Sequence, residues 1–257
     1  MVAGDERHGP TGSHGWRFIY DPVRHVSVLF GGNGAHGWWG DFLNDTWTFD
    51  GSRWSQKSPT TMPSPRAFSV VAFDSKRGVV VLFGGYNGAG LNDLWTWDGT
   101  NWSPEAAAAS PPQMFPLGLA YQPDGSLLVA GQSAPGGGGI LAAVQSWTYA
   151  NQTWREVTAG GTPPCLDHYG ASAQDLQRGV LVFFGGYCTG ATVKWDGSKW
   201  TEVTPNPSPP NRGNEAGSPA MAYDPDHHAV LLYGGYKSGT YVNDLWAWDG
   251  AAWKMLA

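Results

Sequence analysis

Apolar and polar positions along this chain follow one sentence that is written five times. A short alternating stretch leads to an Asp-centred turn. A run of apolar residues then ends in paired glycines, as in HVSVLFGG, GVVVLFGG, GVLVFFGG and HAVLLYGG. A loop follows, and then a segment of the kind NDLWTWDGTNW, residues Asn92 to Trp102. Period-2 alternation, β-branched and aromatic enrichment and closely spaced turn signals predict short strands and no helices. The Asp-Gly pair inside NDLWTWDGTNW predicts a tight turn, with Gly at a backbone conformation that needs no Cβ. An aromatic residue stands five before each closing tryptophan: Phe49, Trp97, Tyr149, Trp195 and Trp248 precede Trp54, Trp102, Trp154, Trp200 and Trp253.

Those closing tryptophans fall 48, 52, 46 and 53 residues apart. A period near 50, with four short strands per copy, is the spacing of propeller blades that bury their faces against neighbours. The Pro-rich pieces SPTTMPSP, SPEAAAASPP, TAGGTPP and TPNPSPP separate the copies and read as connections, because Pro cannot donate to a ladder.

Paired glycines ending the second strand, then Trp-x-aromatic, then a Trp after a turn, resemble the kelch repeat in its bacterial NDxWxWDGxxW form. The third copy departs with Ala130-Gly131, and the fourth has Val193 where the first aromatic belongs. The resemblance implies an all-β, kelch-type β-propeller of four-stranded antiparallel blades. The copies divide the chain into one domain of five blades, about 14–58, 66–106, 113–158, 167–204 and 212–257. Five blades closed by packing alone is the expected architecture. The alternative is a fragment, or a subunit-completed part, of a ring of six or seven blades.

Composition narrows the partners. A net charge of -6 and no cluster of Lys or Arg exclude nucleic acid and anionic membranes as expected partners. No apolar stretch is long enough to span a bilayer. The beginning MVAGDERHGP lacks an apolar leader and reads as cytoplasmic if it is the native N-terminus; a trimmed chain would be secreted.

In such blades the loops after the second strand and the connections between blades emerge on one face. They also differ most between copies, so function is expected there. They supply His14, His36, Trp38, Trp39, Arg66, Tyr86, Phe115, Tyr187, Tyr236 and Tyr241 as candidate contacts for a small molecule, peptide or glycan. Arg66 resembles the arginines with which peptide-binding kelch proteins hold ligands near the entry to strand one. Aligned on the turn aspartates, Ser13, Arg66, Asp167 and Ala216 are equivalent. A second reading is an acid–base enzyme of lyase, isomerase or cyclase type, using His168, Asp167, Tyr169, Glu215 or Arg212.

No Zn-type spacing, phosphate loop or Ser elbow occurs, and no cofactor is expected. The Asp-x3-His pairs Asp21/His25 and Asp224/His228 sit in turns, where Asp serves the backbone. Iron- and copper-binding kelch enzymes carry ligand arrangements that this chain does not reproduce. Cys165 and Cys188 flank the first hairpin of the fourth copy. If its turn is centred between Leu176 and Gln177, they face each other and form a disulfide in an oxidising compartment.

Overall fold

A computed structural model describes residues 9–10, 15, 17–34, 41–122, 124–133, 144–157, 166, 169–186, 190–214 and 217–257. Among them every regular element is a β-strand, and no helix is long and apolar enough to cross a membrane. The chain divides into two compact units, Met1–Phe115 and Pro116–Ala257.

In the first unit, β1 (Arg17–Asp21), β2 (Val26–Asn33), β3 (Phe42–Phe49) and β4 (Trp54–Lys57) pair in sequence as a four-stranded antiparallel sheet. The next repeat pairs β5 (Val70–Asp74), β6 (Val79–Tyr86), β7 (Gly90–Trp97) and β8 (Trp102–Pro104) in the same order. A ninth strand, β9 (Met114–Tyr121), meets β7 through Met114 and Leu91.

In the second unit the rest of β9 continues into β10 (Leu127–Ser133), β11 (Val144–Ala150) and β12 (Thr153–Glu156). Two further four-stranded antiparallel sheets follow. One contains β13 (Gly170–Asp175), β14 (Val180–Gly185), β15 (Thr192–Trp195) and β16 (Trp200–Val203). In the last repeat, β17 (Ala220–Asp224) and β18 (Ala229–Tyr233) are followed by a small hairpin, β19 (Tyr236–Lys237) with β20 (Thr240–Tyr241). The sheet then resumes with β21 (Leu245–Trp248) and β22 (Trp253–Met255).

Each Asp-Gly turn is built alike. The Asp98 carboxylate accepts the N–H groups of Thr100 and Asn101 at 2.7 and 2.8 Å, and Asp50, Asp196 and Asp249 do the same for their own turns. The glycine that follows takes φ near +100°, where a side chain would be strained. Closing the turn puts the aromatic pair directly opposite across two strands, as with Trp97 and Trp102. All five such pairs pack tilted, with ring centroids 4.9–5.4 Å apart and interplanar angles of 37–49°. The spacing of five is thus a cross-strand contact of the kind that stabilises hairpins.

One register differs from the sequence expectation. The hairpin of the fourth repeat turns through four residues, so that Asp175 pairs with Val180. The Asp175 carbonyl accepts the Gly179 N–H, and its carboxylate accepts that of Arg178. The alignment that set Cys165 opposite Cys188 assumed a two-residue turn and is off by two; the cysteines themselves lie outside the described residues.

Candidate functional site

Arg66 opens the second repeat, where its side chain was expected to meet a ligand. Instead it is 1% exposed and turned into its own repeat. Its Nη1 and Nη2 donate to the two carboxylate oxygens of Asp93 at 2.6 and 2.8 Å. The remaining donors reach the Gly84 carbonyl and the carbonyl and hydroxyl of Ser64. Five N–H groups thus find five acceptors, which is what a buried guanidinium requires. Asp93 in turn accepts the indole N–H of Trp95 at 2.7 Å.

Arg212, a candidate for the acid–base set, is built the same way. It is 2% exposed, forks onto Asp244 at 2.5 and 2.9 Å, and donates to the carbonyls of Pro210 and Gly234. Asp244 accepts the Trp246 indole N–H at 2.7 Å. Both arginines also present their own carbonyl to the preceding repeat's paired glycines, Gly32 from Arg66 and Gly186 from Arg212. At Gly31 an added Cβ would lie 2.6 Å from the Arg66 carbonyl oxygen, so the backbone approach demands glycine. The two arginines belong to the scaffold, because their charge is already neutralised by an aspartate and their donors by carbonyls.

Sequence alignment on the turn aspartates hides this equivalence. Arg66 lies eight positions before Asp74, and Arg212 twelve positions before Asp224. Both arginines pair with the aspartate of an Asp-x-Trp, a signal that does not suffice by itself, because the first repeat carries Asp45-x-Trp47 with no arginine eight to twelve positions before Asp21. The third repeat has Gln145 and Trp147 there, and the Trp147 indole N–H is buried with no hydrogen-bond partner among the described residues.

The aspartates carry the electrostatic mark of these contacts. Hydrogen bonds from Arg212, together with its charge and the Trp246 N–H, hold the Asp244 carboxyl below the usual range against the opposing effect of burial. At Asp93 burial pushes upward most strongly, yet the hydrogen bonds and charge of Arg66, with Trp95, outweigh it and the carboxyl is again lowered. Asp21 and Asp224 spend their carboxylates on turn N–H groups and on Arg24 and His227, as turn chemistry predicts. Among the described residues no three His, Cys, Asp or Glu side chains come together as metal ligands.

What the described loops do gather is aromatic. Phe42 opens β3, Tyr86 ends β6, and Phe115 is the second residue of β9. The Phe42 ring meets Tyr86 edge-on at 5.9 Å and 74°, and Tyr86 stacks on Phe115 at 5.2 Å and 23°. All three are half-buried. Backbone pairing fixes them: Tyr86 exchanges N–H and carbonyl bonds with Ala67 at 3.0 and 2.8 Å, and the Leu91–Met114 bridge places Phe115 beside it. Asp41, next to Phe42, is held where its carbonyl accepts the Gly34 N–H at 2.7 Å. Tyr86 and Phe115 are thus brought together as candidate contacts, and Phe42 joins them.

In the second unit the short hairpin pairs Tyr236 with Tyr241, rings 5.2 Å apart and edge-on, with Tyr241 mostly exposed. Tyr169 is half-buried, and its carbonyl closely approaches Gly213. His14, His36, Trp38, Trp39, Asp167, His168, Tyr187 and Glu215 lie outside the described residues.

No family model matches the chain, and no match to it was found among curated proteins.

Proposed function

We propose that the chain folds as five four-stranded blades of a kelch-type β-propeller and acts by binding a small molecule, peptide or glycan at its variable loops. The observation that carries this reading is the Phe42–Tyr86–Phe115 array, in which three successive repeats each supply one half-buried ring at a strand end. Three rings fixed by backbone pairing form a rigid apolar surface, and little side-chain freedom is lost when a ligand lands on it. Asp41, immediately before Phe42, brings a carboxylate to that end of the strand. An apolar surface with a few adjacent polar groups is the usual make-up of a ligand site. The repeated residues, including Arg66, have the complementary role of holding the loops.

The test is a screen of glycan and short-peptide arrays with the intact chain and with Tyr86→Ala. The reading expects at least one ligand class to bind, and affinity to fall about tenfold or more in the variant, as for loss of an aromatic anchor. Ligands bound equally by both proteins would contradict the assignment to this array.

A further inference from the structure

In the second and fifth repeats a guanidinium is held in the same way, atom for atom. Nη1 of Arg66 bridges Asp93 Oδ1 and the Gly84 carbonyl, and Nη1 of Arg212 bridges Asp244 Oδ1 and the Gly234 carbonyl. Nη2 of each arginine takes the other carboxylate oxygen, Oδ2. That oxygen also accepts an indole N–H, from Trp95 or from Trp246. Each carboxylate is thus shared between a tryptophan two residues on and a planar fork that spans both oxygens.

The first repeat builds the same cradle around Asp45. Trp47 donates its indole N–H to Asp45 Oδ2 at 2.5 Å, as Trp95 and Trp246 do to their own aspartates. Gly31 stands where Gly84 and Gly234 stand, and the three share φ of +62°, +60° and +65°. The third and fourth repeats have Gln145 and Ala191 in place of the aspartate, so neither keeps the carboxylate. Asp45 is half-buried, yet its Oδ1 is shielded from solvent and has no hydrogen-bond partner among the described residues. That is the oxygen which Nη1 takes at 2.6 and 2.5 Å in the second and fifth repeats. A shielded carboxylate oxygen without a donor is costly, and a cation carrying N–H groups relieves that cost.

We propose that Asp45 is a binding site for a guanidinium group from outside the chain, carried by a small guanidino compound or by an arginine of a peptide. One nitrogen of the incoming fork donates to Asp45 Oδ1 and the Gly31 carbonyl, and a second donates to Oδ2 beside the Trp47 N–H. An ammonium is a poorer fit, because its point charge lacks the planar fork that spans both oxygens. The site rests on the arginine–aspartate pairing of the repeats and does not depend on the Phe42–Tyr86–Phe115 array.

The experiment follows the tryptophan indole N–H signals of the intact chain by NMR during titration with methylguanidinium, N-acetyl-arginine methylamide and methylammonium. The Trp47 signal, assigned with Trp47→Phe, reports on the Asp45 carboxylate. Trp95 and Trp246 report on carboxylates that already hold an arginine. The Trp47 signal is expected to shift saturably with both guanidinium compounds and more weakly with methylammonium, while Trp95 and Trp246 stay in place. Tighter binding of the arginine compound points to a peptide as the source, and tighter binding of methylguanidinium to a small compound. Asp45→Asn should weaken binding about tenfold or more, as for loss of a hydrogen bond to a charged group. The wild-type titration needs no variant to be decisive: no Trp47 shift up to about 10 mM, beyond the range of weak single-site binding, overturns the proposal. Equal shifts of all three signals, or undiminished binding by Asp45→Asn, also overturn it. So does a response that appears only in Arg7→Ala, since the chain's own arginine would then hold the carboxylate.

Discussion

The guanidinium of Arg66 forks onto the carboxylate of Asp93 at 2.6 and 2.8 Å, deep in the second repeat. The arginine is buried while the Asp93 side chain is 41% exposed, so solvent screens part of the charge attraction. Most of the cost of removing Arg66 comes from leaving Ser64 and Gly84 acceptors without donors. Arg66→Ala should lower unfolding stability by about 2–4 kcal/mol, and Arg66→Lys should recover little of it, because an ammonium lacks the planar fork. Urea denaturation measures both; a change under about 0.5 kcal/mol, typical of an exposed ion pair, contradicts the assignment.

Acid should weaken the fold through the same aspartates. The Asp244 carboxyl titrates below its ordinary value because Arg212 bonds its charged form, and Asp93 is lowered by Arg66 despite burial. A depressed folded pKa contributes stability that is fully present above the unfolded value. That stability is lost as pH falls through the folded one. Melting temperature should therefore fall below the ordinary aspartate pKa of 3.8. Asp244→Asn, already lacking the contribution at neutral pH, should show a shallower acid dependence. An identical pH profile for the two proteins contradicts this.

Where repeats meet, the indole N–H of Trp102 relies on the Thr46 hydroxyl. Thr46→Val keeps the shape and removes the acceptor, leaving a buried donor unsatisfied at a cost of about 1–3 kcal/mol. Thr46→Ser keeps a hydroxyl and should retain the greater part of the bond. Thr192→Val should behave alike opposite Trp253. Equal stabilities for Thr46→Val and Thr46→Ser would show that the hydrogen bond contributes nothing.

Two glycines in equivalent turns separate backbone strain from crowding. Gly51 and Gly99 have φ of +97° and +100°, and nothing lies within 4 Å of a Cβ added at Gly51. At Gly99 such a Cβ would strike Arg24, whose Nη1 is pinned by Asp21 at 2.7 Å and by the Gly78 carbonyl of the next repeat at 2.8 Å. Gly51→Ala should cost about 1–2 kcal/mol for the left-handed backbone alone. Gly99→Ala should cost clearly more, and Gly99→Ala in an Arg24→Ala background should lose that excess. Denaturation of the four variants measures the difference.

Much of this scaffold was legible in the chain because its signals are local. The Asp-Gly turn, the aromatic five residues before a closing tryptophan and the paired glycines each act within one hairpin, and Trp97 opposite Trp102 follows directly from them. Contacts between distant segments were not legible. Arg66 looked like a ligand contact because nothing within its own stretch names Asp93 as the partner. Four extra residues after Arg212 broke the alignment that would have made it the counterpart of Arg66. A turn of four residues rather than two displaced the register on which the cysteine pairing depended. Phe42 beside Tyr86 and Phe115 required three strand ends to be placed in space.

On this reading the repeated residues hold the fold while the Phe42–Tyr86–Phe115 array binds. The most direct measurement compares Tyr86→Ala with Arg66→Ala, titrating each with a ligand identified on the arrays and measuring unfolding of each in parallel. Tyr86→Ala should lose about tenfold or more in affinity with little change in stability. Arg66→Ala should lose stability, yet its folded fraction should bind with wild-type affinity. A folded Arg66→Ala chain that loses the ligand while Tyr86→Ala keeps it would contradict the account.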